Sequence, residues 1–256
     1  MKPRAVSAIS LLLANTLAAA PVRYGPINPV DPDIGKTGLL YHNCRIPNAI
    51  ALTYDDGPSY GPTVRILKVL RKQGVKATFF VIGKQIEEHK RVLRVIHKEG
   101  HVIGNHTWTH PHLDKMDEER IKKEIRKTDE EVKSVIGKTP RFFRPPYGAY
   151  NKKSLRIISG FFQKKIIMWN LDTMDWEYEA TPVSIIGGFK KEIERKCSMC
   201  HSWIPLQHDI HETTAYTQNI VIDYLKKCGY RFVTMDECIG EKGIKYMEDV
   251  EEKASS

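Results

Sequence analysis

Long apolar runs are almost missing from this chain of 256 residues. The one near the start, within MKPRAVSAISLLLANTLAAA, is interrupted by Asn15 and Thr16 and falls short of the ~20 residues that a bilayer span requires. Lys2 and Arg4 precede it and Ala18-Ala19-Ala20 end it, the pattern of a secretory signal, so residues 1–20 are expected to be removed rather than to anchor the chain. No other segment is apolar enough to cross a membrane, and no stable span is expected once the signal has gone. The final DVEEKASS is short and polar, carries no lipid-anchor signal and is expected to be disordered.

Cysteine is scarce too, at five residues. Cys197-Ser-Met-Cys200 has the spacing of half a zinc site or of a redox pair, but no second CxxC exists and no thioredoxin-like pattern surrounds it, which weighs against both. In an exported chain the five are compatible with disulfides, with at least one thiol left over. Cys44 precedes the first core strand and Cys238 follows the last, so a bridge tying the two ends together is the preferred pairing.

Charge is plentiful, but a basic patch is lacking. Forty Lys and Arg against thirty-one Asp and Glu give +9, or +7 once Lys2 and Arg4 leave with the signal. The bases are interleaved with acids on amphipathic segments such as EEHKRVLRVIHKEG, as on ordinary solvated faces, so nucleic acid is not expected as a partner. A weak attraction to an anionic cell surface is as much as the excess implies.

After a Pro- and Gly-rich lead-in over residues 21–44, expected as an extended arm, apolar runs alternate with helix-period segments up to about residue 240. Strands are expected near 49–55, 77–82, 101–105, 141–146, 165–171, 203–208 and 231–235. The clearest amphipathic helix is 117–136, with Ile121, Ile125, Val132 and Val135 on one stripe. Seven strands with helical segments between them indicate an α/β fold with parallel strands. Periodicity does not separate an open doubly wound sheet from a barrel. The polar residues do: Asp55, Asp56, His106, Tyr147, Asp172, Asp175 and His208 all fall at or just past the C-terminal end of an expected strand. In a β/α barrel those ends converge around one axis, so a distorted or incomplete (β/α) barrel is favoured.

TYDDGP at 53–58 ends an apolar strand with two adjacent carboxylates. Successive side chains of a strand point to opposite faces, so Asp55 and Asp56 are expected to divide two tasks between them. His106 and His110 in NHTWTHPH stand four apart, close enough to hold one cation from a helical turn or tight loop. A carboxylate from another strand end completes a His₂Asp set of the kind that leaves a catalytic zinc open to water. Such a hydrolase also needs a base and an acid. The second aspartate is the natural base, His208 of PLQHD the acid, Asp175 of LDTMDW its tuning partner, and Arg144 of FFRPPYG a rigid fork to hold the free aspartate.

TYDDGP, HTWTHP, RPPYG, DTMDW and LQHD, in that order, resemble the five motifs of the polysaccharide deacetylases, the NodB homology domain of carbohydrate esterase family 4. The likeness spans roughly residues 45–240, leaving 241–256 as a polar tail, and the wording of HTWTHP, WNLDTMDW and LQHD is most similar to the fungal chitin deacetylases. It implies Asp55 as base, Asp56, His106 and His110 as ligands of a divalent metal, most often Zn²⁺, and Arg144 as the orienter of the base. It further implies that the Tyr147 amide steadies the oxyanion, that His208 and Asp175 are the acid and its partner, and that Trp176 and Leu206 are apolar walls for the acetyl methyl. The activity implied is removal of N-acetyl groups from N-acetylglucosamine polymers such as chitin, by a monomer secreted or held at the cell wall. No separate carbohydrate-binding module is visible, so any grip on polymer falls to the cleft or to surface charge.

The chain departs from the pattern at Tyr54, where the family usually has Phe and a buried hydroxyl needs a partner, and at Pro205, which removes a ladder donor from the strand that delivers Leu206 and His208. Asn105-His106-Thr107 matches a glycosylation sequon, expected to be sheltered and unmodified. Rival readings are a catalytically silent glycan-binding or wall-associated protein that keeps the cleft, and an O-deacetylase of another glycan.

Overall fold

The computed structural model describes residues 40–195 and 201–247. The expected signal, the arm up to residue 39, Cys197, Cys200 and residues 248–256 lie outside the described residues.

Short parallel strands alternate with helices, as the sequence pattern implies. Six strands form one parallel sheet in the order β1 (Leu40–Tyr41), β7 (Lys165–Ile167), β6 (Phe142–Phe143), β5 (Val102–Asn105), β4 (Thr78–Val81) and β3 (Thr53–Asp55). Two parallel pairs complete it: β2 (Ala49–Ile50) with β10 (Arg231–Phe232), and β8 (Leu171–Asp172) with β9 (Pro205–Leu206). The pairings run round a ring. β7 leads within a few residues into β8, β8 pairs with β9, and the β9 segment returns to the start through parallel bridges Ile50↔Trp203 and Asp55↔His208. This is a distorted β/α barrel, and each of the seven expected strand segments carries a strand in it.

Alternation along the first long segment explains its two faces. Ile50, Leu52 and Tyr54 join the large apolar layer beneath the helices, with Leu67, Leu70, Phe79 and Val221. Ala49 and Ala51 turn the other way and pack with Phe80, Val102, Phe142, Ile167 and Ile204 inside the ring. The Tyr54 hydroxyl finds its partner in that outer layer, donating to Gln218 Oε1 at 2.7 Å, and Gln218 Nε2 donates to Gln207 Oε1 at 2.7 Å.

Helices lie outside the ring at α1 (Pro62–Gln73), α2 (Gly83–Lys98), α3 (Glu118–Ile136), α4 (Lys152–Arg156), α5 (Pro182–Arg195), α6 (Glu212–Lys227) and α7 (Met235–Cys238). The expected helix at 117–136 is α3. Asp117 caps its start by accepting from the Arg120 amide at 2.9 Å, and Gly137, with φ 71°, ends it.

Pro205 interrupts one rung without shifting the register. On one side of it Trp203 N donates to Ala49 O at 2.9 Å, and on the other Asp55 N donates to Gln207 O at 2.8 Å. Its carbonyl is used instead, accepting from Thr53 Oγ1 at 2.5 Å. Cys44 and Cys238 form the expected disulfide, while Cys228 is a free thiol. Ordered contacts continue past residue 240, where Met247 N donates to Thr139 O at 3.0 Å.

Candidate metal centre and catalytic cleft

The C-terminal ends of β3, β5, β6, β8 and β9 deliver the polar residues to one end of the ring, where the loops of such a barrel build a site. Asp55 is the last residue of β3 and keeps the inward alternation. Asp56 breaks it: its φ of 77° is a left-handed conformation that few non-glycine residues adopt. The expectation that the two carboxylates point to opposite faces therefore fails. Asp55 Oδ2 and Asp56 Oδ1 lie 3.8 and 3.4 Å from the same atom, His106 Nε2.

Asp56 Oδ1 also lies 3.3 Å from His110 Nε2, so these three side chains present one ligand atom each to a common point. Separations of 3.4 and 3.3 Å from Asp56 Oδ1 to the two imidazole nitrogens suit a tetrahedral ion bound at about 2.0–2.1 Å. Two further observations fit a cation. Asp56 Oδ1 is buried with no hydrogen-bond partner, an arrangement that costs stability unless something positive is bound there. The other ring nitrogen of His106, Nδ1, lies 2.7 Å from the Arg144 carbonyl, which accepts its proton and leaves Nε2 as a lone-pair donor facing the aspartates. Burial, reinforced by the neighbouring His106, pushes the His110 imidazole down to about 4, so at neutral pH it is an uncharged ligand. Burial alone would raise the Asp56 carboxyl; the neighbouring imidazoles of His106, His110 and His208 hold it at about 2.

Asp55 is claimed by a different partner. Arg144 NH1 donates to Asp55 Oδ1 at 2.8 Å and to Thr53 Oγ1 at 2.8 Å, while Nε and NH2 donate to the carbonyls of Ile167 and Met168, each at 3.1 Å. The guanidinium is 0% exposed and lies over the Phe80 ring at 4.3 Å. Burial lowers its pKa from the usual value, and the Asp55 charge opposes that.

On the other side of Asp55, the bridge to His208 sets the candidate acid at the same level of the ring. His208 Nδ1 lies 2.7 Å from Asp175 Oδ1, and the His208 amide donates to Asp175 Oδ2 at 2.7 Å. Burial would depress the imidazole, but the Asp175 hydrogen bond and charge, with Asp55 and Asp56, raise it to about 9. His208 is a charged proton donor at neutral pH. Its Nε2 is the nitrogen left for chemistry.

A carboxylate held by an arginine, an imidazole held by a carboxylate and a His₂Asp set within reach of one cation thus meet at one end of the ring. The polysaccharide deacetylase family model matches residues 42–161. The chitin deacetylase of Colletotrichum lindemuthianum is 34% identical over 206 residues, covering 77% of this chain and 82% of that protein. The chain belongs to the polysaccharide deacetylase family. The solved structure of the chitin deacetylase from that fungus superposes with a TM-score of 0.76 at 32% identity, over 82% of this chain and 96% of that one. The peptidoglycan-N-acetylglucosamine deacetylase PgdA of Listeria monocytogenes is 36% identical over 234 residues, covering 91% of this chain but 46% of that protein, so this chain spans about half its length. A family pseudoenzyme from Bacillus anthracis also superposes, with a TM-score of 0.70 at 27% identity, over 79% of this chain and 69% of that one.

Around this site, Tyr147 is 60% exposed in a left-handed turn of φ 58°. Its ring tilts against His110 at 4.4 Å and stacks on His112 at 4.1 Å. Leu206 is the register partner of Asp172 and is 6% exposed; Trp176, four residues beyond Asp172, is 49% exposed at the rim. The sequon residue Asn105 is fully buried. Its amide nitrogen donates to Ile125 O and Asp129 Oδ1, and its oxygen accepts from Thr107 N, which leaves no free group for a glycan.

Three supporting residues escaped the sequence reading. Thr53 bridges Arg144 to Pro205; its position two before Asp55, on the same strand face, was the available signal. Thr214 donates to Asp175 Oδ2 at 2.6 Å from the next helix and has no local signature. Asp209 is pushed up to about 7 by burial, against hydrogen bonds from Thr63 and the Gly57 amide. It accepts from Gly57 N at 2.9 Å and from Thr63 Oγ1 at 2.6 Å, pinning the turn after the aspartate pair. A Cβ on Gly57 would lie 2.2 Å from Asp209 Oδ2, which is why that turn needs glycine.

Proposed function

We propose that this chain is a metal-dependent deacetylase that hydrolyses the N-acetyl groups of N-acetylglucosamine polymers, of the chitin or peptidoglycan kind, leaving acetate and a free amine. The observation that carries the reading is the division of the two aspartates: Asp56 faces His106 and His110, while Asp55, beside them, is held by Arg144. A divalent cation, most readily Zn²⁺, held by Asp56, His106 and His110 would supply Lewis acidity toward the acetyl carbonyl and lower the pKa of a water.

The protein's own groups account for the proton traffic. Arg144 holds Asp55 through Oδ1, so Oδ2 stays free to take a proton from the attacking water. On the family resemblance, the Tyr147 amide donates to the oxygen that gains charge as the carbonyl carbon becomes tetrahedral. His208, charged and held through Nδ1 by Asp175, gives its Nε2 proton to the departing nitrogen as the C–N bond breaks. Leu206 and Trp176 serve as the apolar wall for the methyl group. The Cys44–Cys238 bridge supports an exported, oxidising setting at the cell surface or wall.

The test is acetate release from N-acetylglucosamine oligomers and from peptidoglycan strands, after metal stripping and again after zinc return. Zinc-restored release is expected. A protein that binds zinc yet releases acetate from neither substrate is silent toward these polymers, and faster release from O-acetyl esters than from amides would move the reading to an O-deacetylase.

The acid also sets a pH limit. Because the folded pKa of His208 is raised to about 9, its proton is present throughout the neutral range and is lost as pH rises through that value. A bound cation would offset the Asp56 contribution, but the Asp175 contribution remains. For Asp175→Asn the alkaline limb of the kcat/KM profile is expected to move down from about 9 toward the ordinary histidine value of 6.5. An unmoved limb would assign it to another group.

A further inference from the structure

The loop that carries both histidines is held in a conformation its own residues do not favour. Thr107 and His110 have φ of 68° and 60°, left-handed values that non-glycine residues keep only where the surroundings impose them. The surroundings are specific. Asn105 Oδ1 accepts from Thr107 N at 2.8 Å, and the Thr107 and Trp108 carbonyls accept from the amides of Gly83 and Lys84 at 2.9 and 3.1 Å. The remaining amides between the histidines point at one side chain on α3. Glu124 Oε2 accepts from Trp108 N at 2.9 Å and Thr109 N at 2.7 Å, while Oε1 accepts from Thr109 Oγ1 at 2.9 Å.

We propose that Glu124 is a positioning residue for the metal centre: its carboxylate closes the His106–His110 loop and so sets the separation and aim of the two imidazoles before any cation arrives. A carboxylate suits the task because it offers only acceptors to three donors. It is itself no ligand, acting through the backbone that joins the two histidines. The neighbouring pair Asn105–Asp129, anchored by Lys164 Nζ at 2.8 Å from Asp129 Oδ2, braces the start of the same loop from the same helix. Side chains that orient metal ligands from behind change affinity by about 10–100-fold when lost. This inference rests on the metal reading above but not on the substrate.

Zinc affinity, measured by chelator competition without any glycan, tests it. Glu124→Ala is expected to bind zinc about tenfold or more weakly, and to shift the visible absorption of the cobalt-substituted protein. Glu124→Gln keeps an oxygen for both amides and an NH₂ for a reversed Thr109 hydroxyl, so it is expected to stay within about threefold of the wild type. Glu130→Ala, an exposed change on the same helix, is the control and is expected to leave affinity unchanged. Melting temperatures taken in excess chelator are expected to differ little among the variants. Affinity and cobalt spectrum unchanged in Glu124→Ala would overturn the proposal, as would an equal loss in the control. A wild-type protein that binds no zinc would overturn it together with the metal site.

Discussion

Asp55→Asn is expected to slow acetate release by about 10²–10⁴-fold, the range that a general base contributes, while zinc affinity stays near the wild-type value. The substitution preserves shape, and its remaining oxygen can still accept from Arg144 NH1, so the loss is one of basicity. Asp56→Asn should behave differently. It removes the negative charge from the atom that lies 3.4 and 3.3 Å from the two imidazoles, so it should weaken metal binding itself, and added zinc should recover part of the activity. Acetate release and zinc competition on both variants separate the two aspartates. Similar metal loss in both would mean that Asp55 is a ligand as well, and retention of a tenth or more of the rate in Asp55→Asn would move the base elsewhere.

Most of the barrel is legible because its signals are local. Apolar runs such as AIALT and ATFFV repeat with helix-period segments between them, and the polar residues at their C-terminal ends mark the site. What the sequence conceals is non-local or conformational. β1 falls at the end of the lead-in read as an arm, and only its pairing with β7 makes it a strand. The alternation rule sends Asp55 and Asp56 apart, and only the left-handed backbone at Asp56 brings both to His106. Pro205 looks damaging when the strand is considered alone. In the fold its carbonyl accepts from Thr53, which in turn accepts from Arg144, so the proline is tied to the group that holds Asp55. Glu124 serves a loop about fifteen residues upstream through backbone amides, which have no side-chain pattern to read.

Arg144→Met is expected to be the most destabilising single change at the site. The guanidinium is fully buried and supplies donors to Asp55, Thr53, Ile167 and Met168. Removing it leaves three acceptors unmatched and, more costly, a buried carboxylate without its partner, a loss of about 3–5 kcal/mol. In a chain of this size each kcal/mol lowers the melting temperature by roughly 2–4 °C, so a fall on the order of 10 °C should be seen by thermal unfolding. The source of that loss is testable, because it predicts a sign for the double variant. With Asp55→Asn added, no unpaired charge remains in the ring, so Arg144→Met/Asp55→Asn should be more stable than Arg144→Met alone, though both are inactive. If the second substitution instead lowers stability further, the arginine acts through its carbonyl contacts as a packing brace, and the charge pairing with Asp55 is secondary to holding the strand ends together.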